Sequence, residues 1–122
     1  MRLKPSQVRA YREQQWREQN GICPLCQQYI EPTAAVLDHN HTTGSNRAVL
    51  HRFCNSYLGK IENNIKRNCL TDAQVQNILR NAHAYMSKSL DTLHPTYRTP
   101  EERRARAQAR AKKRRAAAKA NK

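Results

Sequence analysis

Residues 23–55 read CPLCQQYIEPTAAVLDHNHTTGSNRAVLHRFCN and contain two pairs of metal-binding residue types. Cys23 and Cys26 are spaced as Cys-x-x-Cys, and His51 and Cys54 as His-x-x-Cys. Four such nitrogen and sulfur ligands complete the tetrahedral shell of a structural zinc ion and leave no position for water or substrate. The spacing therefore predicts a structural zinc. The alternatives are buried apolar cysteines or a redox-active Cys-x-x-Cys pair. The remaining cysteine, Cys69, is predicted to be a core residue at a helix end.

The residues between and after the ligand pairs predict a hairpin followed by a helix. Short runs at 34–37 (Ala-Ala-Val-Leu) and 47–50 (Arg-Ala-Val-Leu) indicate two strands, joined by an eight-residue connection, His39–Asn46, that contains turn-forming residues. From residue 52 onward apolar side chains recur at helical spacing, which predicts a helix ending near residue 68. We therefore expect an α+β fold with a zinc-stapled hairpin-and-helix core.

Helices are also predicted on both sides of this core. Pro5 and the sequence Asn20-Gly21 are typical start and stop signals, so a helix is expected over about 5–19. Thr71 and Gln74 have the spacing of a capping box, and an apolar stripe follows them to about residue 90.

Three segments are predicted from these patterns. Residues 1–92 form the zinc-containing domain with its flanking helices, residues 93–98 a linker, and residues 99–122 a basic tail that is either helical or disordered. The tail is rich in Ala, Arg and Lys and has high helix propensity, but it lacks an apolar face. We expect it to become helical on a polyanion.

The charge of the chain predicts a polyanionic partner. A net charge of +14 over 122 residues favours nucleic acid, with an anionic membrane surface as the second choice. Ten of the 23 basic residues lie in the tail. The N-terminal residues lack the apolar segment of a signal peptide, and no run is long enough to span a membrane. We therefore expect a cytoplasmic protein that binds DNA and no membrane.

A second set of polar residues predicts a catalytic metal site. Asp38 ends the first strand and Asn55 opens the helix, and their oxygens are hard ligands suited to Mg²⁺, for which Mn²⁺ can substitute. His39 is the candidate general base, because a neutral imidazole can take a proton from water that attacks phosphorus. His41 is expected to contact a phosphate oxygen or orient a ligand, and Arg47 to pair with the DNA backbone. The alternative is that these are ordinary residues of a polar turn.

The order and spacing of these residues resemble a known family. Cys-Pro-Leu-Cys at 23–26, Leu-Asp-His-Asn-His-Thr-Thr-Gly at 37–44 and Arg-Ala-Val-Leu-His-Arg-Phe-Cys-Asn at 47–55 are similar to the recombination endonuclease VII family of bacteriophages, which are HNH or ββα-metal nucleases. The resemblance covers about residues 20–60. His51 stands where the family commonly has cysteine, and zinc tolerates both ligands.

The resemblance implies a Mg²⁺-dependent DNA endonuclease with a structural zinc, often acting at branched DNA. It implies that Asp38 and Asn55 hold the catalytic metal and that His39 is the base. The host cytoplasm is then the expected location if the chain is phage-encoded, and a homodimer is left open. The DNA-binding candidates are Arg47, Arg103, Arg104, Arg106, Arg110, Lys112, Lys113, Arg114 and Arg115.

Three other functions remain open. The same module occurs in homing and nicking endonucleases that act on duplex DNA. A non-enzymatic zinc-knuckle protein would use the zinc and the tail to bind DNA or RNA, and Asp38-His39 would then be only a turn. A basic ribosome-associated protein would account for the charge alone and for neither Asp38 nor Asn55.

Overall fold

The computed structural model of the protein describes residues 1–121, in which four α-helices accompany a single two-stranded sheet. Short 3-10 turns occur at Pro5–Gln7 and Pro32–Ala34. The predicted α+β fold is confirmed, and Lys122 of the predicted tail lies outside the described residues. The elements are α1 (Val8–Glu18), β1 (Ala35–His39), β2 (Asn46–His51), α2 (Arg52–Arg67), α3 (Asp72–Met86) and α4 (Pro100–Ala120).

The two strands form an antiparallel hairpin. Val36 pairs with Leu50 and Asp38 with Ala48, and the register shifts by one residue between Asp38 and His39. The loop spans residues 40–45, so it is two residues shorter than predicted, because each strand extends one residue further into it. Inside the loop the Asn40 side-chain oxygen accepts hydrogen bonds from the backbone N–H groups of Thr42 and Thr43, at 2.8 and 3.1 Å. This Asx-type turn orders the loop.

A small core lies between the hairpin and the helices. Its buried side chains include two cysteines of the predicted zinc set, which therefore lie inside the hydrophobic core. Trp16 and Leu58 pack against it from α1 and α2. The core members are Cys23, Ile30, Ala35, Val49, Leu50 and Cys54.

The side chains of Trp16 and Gln19 hold α1 against the segment before β1 and against β2 by hydrogen bonds. Gln19 accepts a hydrogen bond from the backbone N–H of Val49 at 3.0 Å and donates to its carbonyl at 2.7 Å. The Trp16 indole N–H donates to the Ile30 carbonyl at 2.9 Å. Buried backbone groups that lack a strand partner are costly, so these bonds let α1 cover the free edge of β2.

A glycine lets the chain turn from α1 into the Cys-x-x-Cys loop. Gly21 has a φ of +68°, and a Cβ atom there would lie 2.8 Å from the Tyr29 ring. Both the left-handed backbone and the close aromatic ring exclude a larger residue. The predicted stop at Asn20-Gly21 is where α1 gives way to the turn.

The ends of α2 and α3 agree with most of the predicted signals. Thr71 and Gln74 form the predicted capping box, with reciprocal bonds of 2.8 and 3.2 Å. Helix α3 ends at Met86, earlier than the predicted end near residue 90. The chain tightens into turns there, because the N–H groups of Ser87 and Lys88 bond to carbonyl groups three residues earlier. The prediction of a core position for Cys69 was wrong. Cys69 is exposed and has a φ of +51°, because it lies in the turn that ends α2, whereas the core contacts of α2 are made near its start by Cys54 and Leu58.

The chain divides into two compact units, Met1–Leu79 and Arg80–Lys122. This division describes compactness, so the predicted functional boundaries at 92 and 98 stay predictions. In the second unit the tail is helical as α4, where the Thr99 hydroxyl caps the helix by accepting from the N–H of Glu102 at 3.1 Å. No helix within residues 1–121 is long and apolar enough to cross a membrane.

Candidate functional site

Four side chains form a compact cluster where β2 meets α2. One ligand atom from each of Cys23, Cys26, His51 and Cys54 lies within 4.8 Å of all the others. The Cys26 Sγ is 3.2 Å from the His51 Nδ1, and the Cys54 Sγ is 4.0 Å from the same nitrogen. The structure thus brings together the four residues predicted as zinc ligands.

The histidine of the cluster is held in the tautomer that a metal needs. Its Nε2 lies 2.8 Å from the Tyr29 carbonyl oxygen, which can only accept, so Nε2 carries the proton. The Nδ1 lone pair of His51 therefore points toward the three sulfur atoms. A ligand histidine usually donates its other N–H to a carbonyl or carboxylate in this way, which fixes the ring.

The ionisation of the cluster also favours a bound cation. Burial raises the pKa of the Cys23 thiol, but the backbone N–H groups around Cys26 and His51 outweigh burial and lower it to about 6. Burial and the neighbouring Cys26 and Cys23 raise the pKa of Cys54 to about 12. Several thiolates cannot share this small volume without a compensating positive charge, whereas zinc deprotonates coordinating thiols outright. The donor set therefore fits a structural zinc ion.

A second cluster joins the end of β1 to α2. Asp38 is only 6 % exposed and receives two hydrogen bonds from Arg47, from Nε to Oδ2 at 2.7 Å and from Nη2 to Oδ1 at 3.2 Å. The same guanidinium donates to both carboxylate oxygens of Glu62 on α2, at 3.0 and 3.3 Å. Its Nη2 also lies 3.4 Å from the carbonyl oxygen of His39. Arg47 is thus a bridge between two carboxylates.

This bridge was missed by sequence reasoning in two respects. Arg47 was predicted to contact DNA, but most of its N–H groups are used inside the protein, and the hydrogen bonds to Glu62 and then to Asp38 raise its pKa. Glu62 was not singled out, because it is one of several polar residues on α2. The available signal was its spacing of seven residues from Asn55, which places both on one helix face.

The two predicted histidines lie on the exposed side of the hairpin. The rings of His39 and His41 are 4.5 Å apart between centroids, and both residues are exposed. His39 and Leu37 line an open cleft of about 580 Å³, together with residues 1–3, loop residues 43–45 and Asn46 at the start of β2. Alternation along β1 turns Asp38 toward α2 and its neighbours Leu37 and His39 toward this cleft.

Asn55 lies in the first turn of α2, directly after the cluster residue Cys54, and is partly buried. Within residues 1–121 its side chain forms no hydrogen bond to the protein, so its amide oxygen is available to a ligand. Two helical turns, roughly 10 Å, separate it from Glu62. The structure thus connects Asp38 to Glu62 through Arg47 and leaves Asn55 and His39 unconnected to that network by their side chains.

The predicted DNA-binding residues of the tail are all exposed along α4. They surround the helix instead of forming one stripe, since the basic positions follow no single helical face. The helix begins with Glu101 and Glu102, whose charges favour its N-terminus.

Comparison with known proteins gives the family. A model of the family described as recombination endonuclease VII matches residues 2–88. The chain belongs to the recombination endonuclease VII family. A comparison with curated proteins gives no match.

Membership of the endonuclease VII family makes the chain a DNA endonuclease. The match extends well beyond residues 20–60, on which the resemblance was based, and includes α1 and α3.

The Cys-His cluster predicts one zinc ion per chain. Replacing Cys54→Ser should remove the metal and unfold the module, because the ligand is also a core residue and zinc binding is coupled to folding. Cys69→Ser, an exposed cysteine outside the cluster, is the matched control and should keep both zinc and the parental melting temperature. Elemental analysis measures the zinc content, and thermal melts measure the melting temperature. A zinc-free parent, or a Cys54→Ser variant that melts like the parent, would refute it.

Proposed function

We propose that the protein is a Mg²⁺-dependent, HNH-type endonuclease that cuts branched or distorted DNA. The observation that carries the proposal is a buried carboxylate, Asp38, held at the end of β1 directly before an exposed histidine, His39. Both lie on a hairpin that the Cys-His cluster ties to α2. A fixed anion beside an accessible base is the arrangement expected for metal-assisted phosphodiester hydrolysis.

Asp38 and Asn55 are the residues we propose to hold the catalytic cation. A carboxylate has about four lone-pair positions, of which Arg47 uses two, so Asp38 retains capacity for a metal. The amide oxygen of Asn55 is the second hard donor. When bound, the cation would supply positive charge that stabilises the leaving 3′ oxygen.

We propose that His39 acts as the general base. Its neutral imidazole takes a proton from a water molecule as the water oxygen forms a bond to phosphorus and the bond from phosphorus to the 3′ oxygen breaks. The open cleft in front of His39 gives DNA and water access to the ring. His41, whose ring packs beside that of His39, is placed to limit ring rotation or to contact a phosphate oxygen.

Replacing the base should abolish cleavage while leaving the fold intact. We expect His39→Ala to lose about 10²–10⁴-fold in rate, the usual contribution of general base catalysis, and Asn55→Ala to be similarly inactive. His83→Ala removes an exposed histidine of α3 and is the control. Single-turnover cleavage rates, zinc content and DNA affinity are measured together. Parental rates for His39→Ala would exclude this residue as the base.

A preference for branched DNA is proposed from the family and from the shape of the interface. Within residues 1–121 no second zinc-finger-like group of ligands accompanies the Cys-His cluster, so we expect the module to grip the DNA backbone instead of reading base edges. A flexible junction costs less free energy to bend into such a site than intact duplex does. The alternative is a homing or nicking enzyme that acts at a site within ordinary duplex DNA.

Substrate selection separates these alternatives. We expect a four-way junction to be cut faster than a mismatched duplex, and both faster than a plain duplex of the same sequence, at equal salt and Mg²⁺. Cleavage products are quantified on denaturing gels. Equal rates on all three substrates, or one cut recurring at a single sequence, would contradict the structural preference. Zinc-dependent binding without Mg²⁺-dependent cutting would instead favour the zinc-knuckle alternative.

The tail is proposed to supply electrostatic affinity for DNA. Its basic residues lie all around an exposed helix, so several can reach phosphates at once but few are placed to read bases. The proposed contacts are made by Arg103, Arg104, Arg106, Arg110, Lys112, Lys113, Arg114 and Arg115.

Deleting residues 100–122 should therefore weaken binding by a similar factor on every DNA substrate. Each phosphate contact that is lost should reduce the slope of log K against log salt by about 0.9 on duplex DNA. A truncation at residue 116, which keeps most of the charge, is the control. Binding is measured by fluorescence anisotropy at several salt concentrations. An unchanged slope after the full deletion would show that the tail does not contact DNA.

We further propose that two copies act together, since resolving a branch requires a cut in each of two strands. An apolar surface between α2 and the start of α3 supports self-association, because Phe53 and Tyr57 are 66 % and 68 % exposed and lie beside Leu25. Sedimentation equilibrium tests the stoichiometry. Phage origin and a cytoplasmic location stay predictions from the sequence.

A further inference from the structure

We propose that Glu62 is a positioning residue of the nuclease site, which keeps the negative charge of Asp38 available to a divalent cation by sharing the charge of Arg47. The inference rests on the proposed function, because it presupposes that Asp38 binds a catalytic cation. It adds a residue on α2 that neither the sequence motifs nor the family resemblance single out.

The Arg47 guanidinium forms two-pronged contacts with two carboxylates. Arg47 binds Asp38 through Nε and Nη2 and binds Glu62 through Nη1 and Nη2, with the shortest contacts at 2.7 and 3.0 Å. Such two-pronged pairs fix the orientation of both partners. The position of Arg47 on β2 is therefore determined from α2 as well as from β1.

The network of Asp38, Arg47 and Glu62 carries a net negative charge. Two carboxylates and one guanidinium carry a net charge of −1. Without the Glu62 charge the pair of Asp38 and Arg47 would be neutral, and the Arg47 cation would be directed at Asp38 alone. A divalent cation would then approach a carboxylate already neutralised by an arginine.

The three side chains of this network differ in burial. Asp38 is 6 % exposed, whereas the side chains of Arg47 and Glu62 are 34 % and 35 % exposed. The more exposed half of the network can adjust at lower cost than the buried half. Glu62 is thus the partner that can retain Arg47 when a cation occupies part of the Asp38 carboxylate.

The test measures cation affinity in the intact, zinc-loaded chain, with Mn²⁺ as the probe and its free concentration followed by electron paramagnetic resonance. Asp38→Asn identifies the site by abolishing the binding. Glu62→Gln should weaken Mn²⁺ binding by about tenfold or more, since it removes a full charge close to a divalent ion. Glu62→Asp, which keeps the charge, should remain near the parent.

Two further variants separate the charge effect from general damage. Glu13→Gln removes the same group from the surface ion pair with Arg9, whose contact is 3.3 Å, and should leave Mn²⁺ affinity unchanged. The double variant Arg47→Gln/Glu62→Gln should bind Mn²⁺ more tightly than Glu62→Gln, because the unshared positive charge is gone. A purely structural role for Glu62 predicts the opposite order.

Parental Mn²⁺ affinity in Glu62→Gln, or a double variant weaker than the single one, would overturn the inference while leaving the proposed function in place. A parent chain that binds no Mn²⁺ through Asp38 would instead overturn both. If Glu62→Gln loses zinc or melts at a lower temperature than the parent, Mn²⁺ affinity is compared between Glu62→Asp and the double variant. Similar weakening of Mn²⁺ binding in both would reject the charge-sharing role.

Discussion

The close packing of four metal-binding side chains inside a small core is the constraint on which the rest of this protein depends. Cys23 and Cys54 are core residues and also members of the Cys-His cluster. The buried apolar set is too small to give a domain much stability by itself. Metal binding and folding are therefore expected to be one process, as in other small zinc modules.

This constraint also determines where the functional side chains lie. The cluster joins the loop before β1, the end of β2 and the first turn of α2. Asn55 directly follows the cluster residue Cys54, so the buried position of Cys54 also sets the position of Asn55 on α2. The hairpin register then places Asp38 opposite Ala48 and next to Arg47 on the neighbouring strand. The proposed catalytic residues and the Cys-His cluster are different sets of side chains, but one junction positions both.

The charges of the two units serve different ends. In the first unit the important charges are paired and partly buried, and the Arg47 bridge orients two carboxylates across the hairpin and α2. In the second unit the basic side chains of α4 are exposed and largely unpaired by acidic neighbours. Paired charges give local geometry, whereas exposed like charges give long-range attraction to a polyanion that weakens with salt.

The sequence by itself determined the members of the Cys-His cluster, the hairpin and the helices, because each depends on residues close together in the chain. Cys-x-x-Cys and His-x-x-Cys spacing, short strand-forming runs, helical periodicity and the Thr71 capping box are local signals, and the structure confirms the cluster and the elements they predict. The family could be inferred from the same short motifs, as the match to residues 2–88 confirms.

Only the tertiary structure decided the contacts between distant segments. Glu62 meets Arg47 across fifteen positions, and Gln19 pairs with the backbone of Val49 across thirty. Neither pair has a distinctive spacing, because the partners belong to different elements whose relative placement depends on packing. The same reason explains why the Arg47 bridge was not predicted and why Cys69 was wrongly placed in the core. A side chain's partners and burial follow from three-dimensional neighbours that its sequence neighbours do not specify.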